Sequence, residues 1–480
     1  MWILFIAALC CLYLYTWVHF YPGKFPVYPG GIPFLGNVSI LFSGDTEKVW
    51  ETIKKIFKFS FENGDIVLIY FGPIPFYIIT DPDDCNTVLT SSMHRSGIAK
   101  KLAKTFVGNG LLFSPVSVWK EHRKLINPTF NQQVLDGFME IFNLQSRRLV
   151  QEWKENAGKD PFDQHLCLEK NAMETICFTT AGVDLYDQNE FNNKCLMAFG
   201  DIMNLLAKRA MNPLLYFDCL YNISDMKKEE LQHVKITHEL TNTVLKRKIE
   251  SQDKEQDGKS NTKFKPFLER LLESSDKLST QDLKDETNSM ILAGFETTSA
   301  ILSYCLVLLG TYTNVQEKCY QEINEVFGDS NRDVTKDDLP RLKYIEMVLK
   351  ETMRLCPGVP YSTRVITEDV QLKNAVLRKG HLCFVALYGA MHHPTWGPDV
   401  EEFIPERWLD TSGLNPNAFG AFGYGRRNCV GKVYAMMTMK VTMVHILRAY
   451  RVSGDYHRMR IRNLGINKPV DGHQITLLNR

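Results

Sequence analysis

Phe422-Gly423-Tyr424-Gly425-Arg426-Arg427-Asn428-Cys429-Val430-Gly431 is the stretch on which the reading of this chain turns. Its glycines let the backbone come close to a flat ligand. A helix is expected from about Lys432, and the N–H groups and positive end of a helix favour a thiolate. Cys429 is thereby a candidate metal ligand, with an ordinary loop cysteine as the alternative. The other eleven cysteines are scattered without a C-x-x-C pair, most of them in apolar runs. Buried free thiols in a reducing compartment are the expectation for them.

The rest of the chain has to supply a large interior around such a ligand. It runs to 480 residues with 44% hydrophobic and 11% aromatic content, enough for one big core. Lys and Arg number 56 against 55 Asp and Glu, so the global charge gives no reason to expect nucleic acid. Residues 1–20 are an uncharged apolar run long enough to span a bilayer. An uncleaved transmembrane anchor is preferred to a signal peptide, because there is no basic n-region and no clear small-residue cleavage site. The Pro- and Gly-rich segment 21–37 reads as a stiff, turning hinge, and residues 38–480 as one catalytic domain.

Within that domain, Ile66 to Gly72 and Pro75 to Asp81 are β-branched and aromatic runs on either side of a turn, the pattern of a hairpin. Most of the chain beyond Asp81 has helical periodicity. Ser279 with Asp282 is an N-terminal capping pair for a long helix toward Leu309, apolar nearly all round and so expected to cross the interior. A second helix, about Tyr344 to Leu355, stops before Cys356-Pro357. The polar stretch Ser251 to Lys263 reads as a solvated loop. The fold class is mainly α with a minor β region (α+β).

Three further groupings carry chemistry. On the long helix, Ala293-Gly-Phe-Glu-Thr-Thr298 places a glycine, a carboxylate and hydroxyls in an apolar interior, where each needs a reason. Glu351 and Arg354 share a helix face, which alone is a common salt bridge. Trp119 and Arg123 share another, which alone is packing plus a solvated charge.

The Cys429 stretch coincides at every fixed position with the heme-binding signature of the cytochromes P-450, Phe-x-x-Gly-x-Arg-x-Cys-x-Gly, through Phe422, Gly425, Arg427, Cys429 and Gly431. Lys350-Glu-Thr-Met-Arg-Leu-Cys-Pro357 resembles the family's K-helix, and Phe403-Ile-Pro-Glu-Arg-Trp408 its Pro-Glu-Arg-Phe segment with Trp for Phe. Trp119-Lys-Glu-His-Arg123 resembles its Trp-x-x-x-Arg, and Ala293 to Thr298 its oxygen-binding I-helix segment. The resemblance therefore covers almost the whole chain. It implies the P-450 fold and non-covalent heme b (iron protoporphyrin IX), with Cys429 as axial ligand. It also implies a buried network of Glu351, Arg354 and Arg407, and Trp119, Arg123, Arg364 and Arg427 as propionate partners. Thr297 and Glu296 become the proton-delivery pair. The alternative is a Thr297 hydroxyl bonded back to its own helix and a structurally paired Glu296.

The implied reaction is monooxygenation of a lipophilic substrate. Without a Gly-x-Gly-x-x-Gly fingerprint after a strand, electrons from NADPH should arrive through a separate NADPH-cytochrome P-450 reductase. Cytochrome b5 is a candidate second donor. Lys120, Arg123, Lys124, Arg426 and Lys432 are the candidate basic docking residues. The expected location is the endoplasmic reticulum membrane with the globule in the cytosol. A heme-thiolate isomerase or dehydratase is the nearest rival, disfavoured by Thr297. A non-catalytic heme sensor or carrier is the other. Several segments resemble the clan of fatty-acid omega-hydroxylases and many insect enzymes. Many of those relatives tether heme through a Glu where this chain has Ala293. Loops 95–118 and 190–225 are expected to line a lipophilic pocket. Its occupant could be a fatty acid, hydrocarbon, terpenoid hormone or xenobiotic.

Overall fold

The computed structural model describes residues 6–12, 14, 25–32, 35–72, 74–255, 266–273 and 278–480. Helices dominate. In chain order they include α1 (Thr46–Glu62), α2 (Pro82–Ser91), α3 (Gly97–Val107), α4 (Val116–Ile126), α5 (Met139–Trp153), α6 (His165–Ala181), α7 (Asn189–Ala210) and α8 (Asp225–Glu255). After these come α9 (Thr280–Thr311), α10 (Thr313–Phe327), α11 (Lys343–Leu355) and α12 (Lys432–Ala449). The strands that matter for the site are β1 (Ile66–Phe71), β2 (Ile74–Ile79), β3 (Ser362–Val365), β4 (Leu382–Val385), β5 (Ile461–Asn463) and β6 (Asn467–Pro469).

The anticipated hairpin is β1 with β2, in antiparallel register from Ile66 opposite Ile79 to Phe71 opposite Ile74. It joins a four-stranded sheet in the order β1-β2-β4-β3. There β2 runs parallel to β4 and β3 antiparallel to it. The end of the Pro- and Gly-rich segment is bonded to the outer edge of β1. Tyr28 N–H donates to Leu68 O at 2.8 Å, and Leu68 N–H to Pro26 O at 2.9 Å. Gly36 makes this possible: its φ is +63°, and a Cβ there would lie 2.4 Å from Tyr70 O.

α9 begins as its capping pair foretells. Asp282 N–H donates to Ser279 Oγ at 3.1 Å, and Ser279 N–H donates back to Asp282 Oδ2 at 2.9 Å. From Asp285 to Gly310 every residue of the helix is buried except Ala293, Gly294 and Thr297. α6 lies against it so closely that a Cβ on Gly294 would come within 2.6 Å of Ile176 Cγ1. Close helix packing is thus a reason for the mid-helix glycine.

Two readings of the sequence need correction. The stretch beginning at Ser251 is not loop from its start, since α8 continues through Glu255; residues 256–263 lie outside the described chain. Segments 95–118 and 190–225 are largely helical rather than loops, occupied by α3, α7 and the short helix Asp218–Asn222. Of the proposed anchor, residues 6–12 and 14 are described; they are helical and expose Ile6, Leu9, Leu12 and Leu14. The rest of the anchor lies outside the described residues. Among the described residues, the one helix long and apolar enough to cross a membrane is α9, which is a buried core helix.

Candidate heme site

The loop before α12 turns back on itself to present Cys429. Cys429 N–H donates to Phe422 O at 2.8 Å, and Asn428 N–H to Gly425 O at 3.2 Å. Gly423 and Gly425 have φ of +69° and +66°. A Cβ on Gly425 would stand 2.7 Å from Leu89 O and from Thr90 Cα, both backbone atoms of α2. No other residue type fits there without moving α2. At Gly431 a Cβ would meet Cys429 Sγ at 3.9 Å, an ordinary contact. The Cys429 side chain is accessible although protein surrounds it on most sides. Burial raises its thiol above the usual range, opposed by the Gly431 N–H and the charges of Arg123 and Lys432.

Beneath this loop sits a cluster of cations without anions. Arg95 from the segment before α3, Arg364 from β3 and Arg427 from the cysteine loop converge. Burial pulls Arg95 and Arg427 down to about 10, the Arg427 value also reflecting Arg95. Burial, with Arg95 and Arg427 as neighbours, pulls Arg364 down to about 9. A guanidinium keeps its proton in proteins. Three depressed arginines side by side therefore store desolvation and repulsion that an anion would relieve. Among the described residues none of the three has an ion pair. Arg95 Nε, Arg364 Nε, and Arg427 Nε and Nη1 are buried without a hydrogen-bond partner. Two propionates beside an accessible cysteine meet that need. The residues present therefore fit a heme, with Cys429 on the iron and Arg95, Arg364 and Arg427 on the propionates.

Trp119 supports the cluster: it is buried, and the Arg427 guanidinium lies 4.8 Å from its ring centre. Arg427 also donates to Ser114 O at 2.9 Å. Arg123 is not brought to the cluster. It clamps the cysteine loop instead, donating to Asn428 O at 2.9 Å, to Asn428 Oδ1 at 3.2 Å and to Asn127 Oδ1 at 2.6 Å. Arg95 joins Arg364 and Arg427 in the cluster. No motif marks it in the sequence, since the segment Ser91 to Ser96 lacks any spacing signal. Only the bond from Val365 N–H to His94 O, 2.9 Å, ties it to β3 and Arg364.

Behind the loop, Glu351 is fully buried and collects five donors. Arg354 Nε and Nη2 each donate at 2.9 Å, Trp408 Nε1 at 3.0 Å, Ile404 N–H at 3.2 Å and Arg407 Nε at 3.3 Å. The expected Glu351, Arg354 and Arg407 network is present, and Trp408 joins it through an indole N–H that the usual phenylalanine lacks.

On α9 the alternative expectation describes the geometry. The Thr297 hydroxyl donates to Ala293 O at 2.8 Å. Glu296 is buried and ion-paired, its Oε1 2.6 Å from Lys468 Nζ on β6. The sequence held no sign of Lys468, which lies 172 positions further along the chain.

The family model described as Cytochrome P450 matches residues 26–475. "Cytochrome P450 4V2" of Mus musculus is 31% identical over 437 residues, covering 88% of this chain and 83% of that protein. "Cytochrome P450 4d2" of Drosophila melanogaster is 29% identical over 442 residues, 88% of each chain. "Cytochrome P450 4c21" of Blattella germanica is 29% identical over 399 residues, 80% of each. The chain belongs to the cytochrome P450 family. It is a heme-dependent monooxygenase that binds heme b non-covalently through a cysteine thiolate.

Proposed function

We propose that Cys429 is the heme ligand and that the enzyme oxygenates a lipophilic substrate with NADPH electrons from a separate reductase, anchored to the endoplasmic reticulum by residues 1–20. The observation that carries the site is the anion-free trio of Arg95, Arg364 and Arg427, with guanidinium nitrogens buried without a hydrogen-bond partner, below the accessible Cys429. Bound heme supplies oxygen activation and insertion of one oxygen atom into the substrate, with thiolate ligation favouring O–O cleavage. The chain holds the Cys429 backbone in place through the bond from its N–H to the Phe422 carbonyl. Arg95, Arg364 and Arg427 neutralise the propionates. Thr297 sits on the one face of α9 with accessible surface and keeps its hydroxyl lone pairs free to accept, which suits it to hand on a proton.

Electron delivery is supported by the outer face of the cysteine loop. Lys120, Lys124, Arg426 and Lys432 are exposed there, and none forms an ion pair among the described residues. Unpaired cations around the short path to Cys429 suit an acidic electron donor. Membrane attachment is supported by exposed apolar side chains on the globule, among them Leu214, Phe217, Leu220 and Ile223, with Ile32 and Leu35 near the anchor. The sequence holds two Asn-x-Ser sequons, Asn37-Val-Ser39 and Asn222-Ile-Ser224; Asn37 is buried and committed, accepting from Tyr70 N–H at 3.0 Å, so only exposed Asn222 can report topology. Cytosolic placement leaves Asn222 unglycosylated.

The test is the reduced, carbon-monoxide-bound spectrum. The purified protein should show the thiolate band that names the family, and Cys429→Ala and Cys429→His should lack it. Turnover of lipophilic substrates should then require added reductase. A band that survives in Cys429→Ala refutes the ligand assignment, and product formation from NADPH without reductase refutes the electron route.

A further inference from the structure

Glu174 on α6 is a buried carboxyl, 2% exposed, with no ion pair among the described residues. Its Oε1 accepts from Asn192 Nδ2 at 2.9 Å. The same amide nitrogen donates to Leu185 O at 2.8 Å, and Leu185 O also takes the Gln188 N–H at 3.0 Å. Asn192 N–H donates to Gln188 O at 2.8 Å. Asn192 thereby ties the start of α7, and the turn before it, to α6. Yet Asn192 Oδ1 is buried without a hydrogen-bond partner. An orphaned buried acceptor is costly. Flipping the amide would only set that oxygen against two acceptors, Glu174 Oε1 and Leu185 O. A protonated Glu174 removes the conflict: its O–H donates to Asn192 Oδ1 while its other oxygen accepts from Nδ2.

The surrounding charges leave room for that proton. Lys170 of α6 is committed to Glu152 of α5 at 2.7 Å, and Arg148 of α5 to Asp184 at 2.8 Å. The Tyr186 ring lies 4.1 Å from the Arg148 guanidinium and 5.8 Å from Lys170 Nζ. Arg247 of α8 reaches Asp184 O at 3.5 Å. Cys177 of α6 and Cys195 of α7 are buried thiols that burial pushes up, so both stay neutral. Burial lifts Glu174 from 4.5 to about 7, against Lys170, the Asn192 bond and Arg148 and with Glu152. The helix held here covers the core where three elements meet. Phe199 of α7 lies edge-on to Phe106 of α3 at 5.5 Å and to Phe295 of α9 at 5.1 Å. Met203 Cε stands 3.7 Å from where a Cβ on Gly465, in the β5–β6 turn, would lie.

We propose that Glu174 and Asn192 form a protonation-dependent clasp on α7: the neutral acid and the amide hold the start of the helix closed, and ionisation of Glu174 releases it. Once ionised, Glu174 meets Asn192 Oδ1 acceptor against acceptor and is a buried charge without an ion pair. That form is favoured only where the start of α7 moves aside and water reaches the carboxylate. The closed clasp binds the extra proton, so its advantage is complete below about 4.5 and is lost as pH rises to about 7. Ligand entry past α7 is then faster at the alkaline end.

Hydrogen exchange of the heme-loaded, full-length protein tests this without turnover. Mass spectrometry follows the peptide spanning residues 185–195 across about pH 5 to 8, with rates corrected for the intrinsic pH dependence of amide exchange. Protection there should fall about ten-fold or more as pH rises, while α10 stays level. Glu174→Gln keeps both hydrogen bonds, its NH2 donating to Asn192 Oδ1, and cannot ionise, so it should hold the acid-side protection at every pH. Asn192→Leu removes the amide and should be poorly protected at every pH. Association of 1,2,4-triazole, whose charge does not change over this range, with the heme iron should speed up with pH in the native protein and stay level in both variants. Level native behaviour in either measurement, or a pH dependence that survives in either variant, overturns the clasp. If one variant fails to load heme, the other decides.

Discussion

Replacing Glu351 by Gln tests how far the cysteine loop depends on the ion network behind it. The carboxylate is wholly buried, and its two oxygens divide five donors: Oε1 accepts from Arg354 Nη2, Arg407 Nε and Ile404 N–H, and Oε2 from Arg354 Nε and Trp408 Nε1. A glutamine has the same shape but one acceptor. Its better orientation keeps oxygen at the Oε1 position, which turns its NH2 group toward Arg354 Nε and Trp408 Nε1, donors facing a donor. The buried Arg354 guanidinium also loses its counter-charge, while Arg407 keeps Asp399 at 3.0 Å. Removing one partner of a buried pair costs about 3–5 kcal/mol. Unfolding entropy of about 2.1 cal/mol/K per residue over this chain length gives on the order of 1 kcal/mol/K, so Tm should fall by about 3–5 °C. The assay is thermal unfolding of the heme-loaded protein followed by fluorescence, with the carbon-monoxide band recorded in parallel to show loosening of the Cys429 loop. A Tm within about 1 °C of the native protein, with the band intact, would refute the view that Glu351 holds these elements together.

Gly425→Ala should be more damaging to heme retention than Gly423→Ala, because only at Gly425 would the new methyl strike the α2 backbone, at 2.7 Å; heme content after gel filtration measures it. Acid–organic extraction should release unmodified heme, since Ala293 offers no carboxylate for an ester; heme that stays with the denatured polypeptide would contradict this. Stability should decline as pH falls from about 6.5 toward about 4, partly through His445. Burial and Arg448 lower this imidazole from 6.5 to about 4 in the folded state, so over that window the unfolded chain binds the extra proton and is favoured. The slope of Tm against pH should be shallower in His445→Gln, which can still donate to Asn143 Oδ1, the present partner of Nε2 at 2.8 Å.

The sequence by itself determined those features whose physics is local. Ser279 and Asp282 mark the start of α9 because a cap is satisfied within four residues, and the β1–β2 hairpin is legible because its partners are a turn apart. The glycines around Cys429 declare a loop that must pass close to other backbone, and Pro357 sets the end of α11. Glu351, Arg354 and Arg407 were readable only through family resemblance, since their pairing joins a helix to a segment some fifty residues further on. Tertiary structure alone decided which cations gather. Arg95 reaches Arg364 and Arg427 because residue 94 hydrogen-bonds to β3, while Arg123, which bears the recognisable spacing, is engaged by Asn428 of the cysteine loop and by Asn127. Tertiary structure also gave Glu296 its partner: Lys468 arrives from a strand near the C-terminus. Buried charge is compensated in space rather than along the chain, so nothing short of the packed interior could have named the residue that does it.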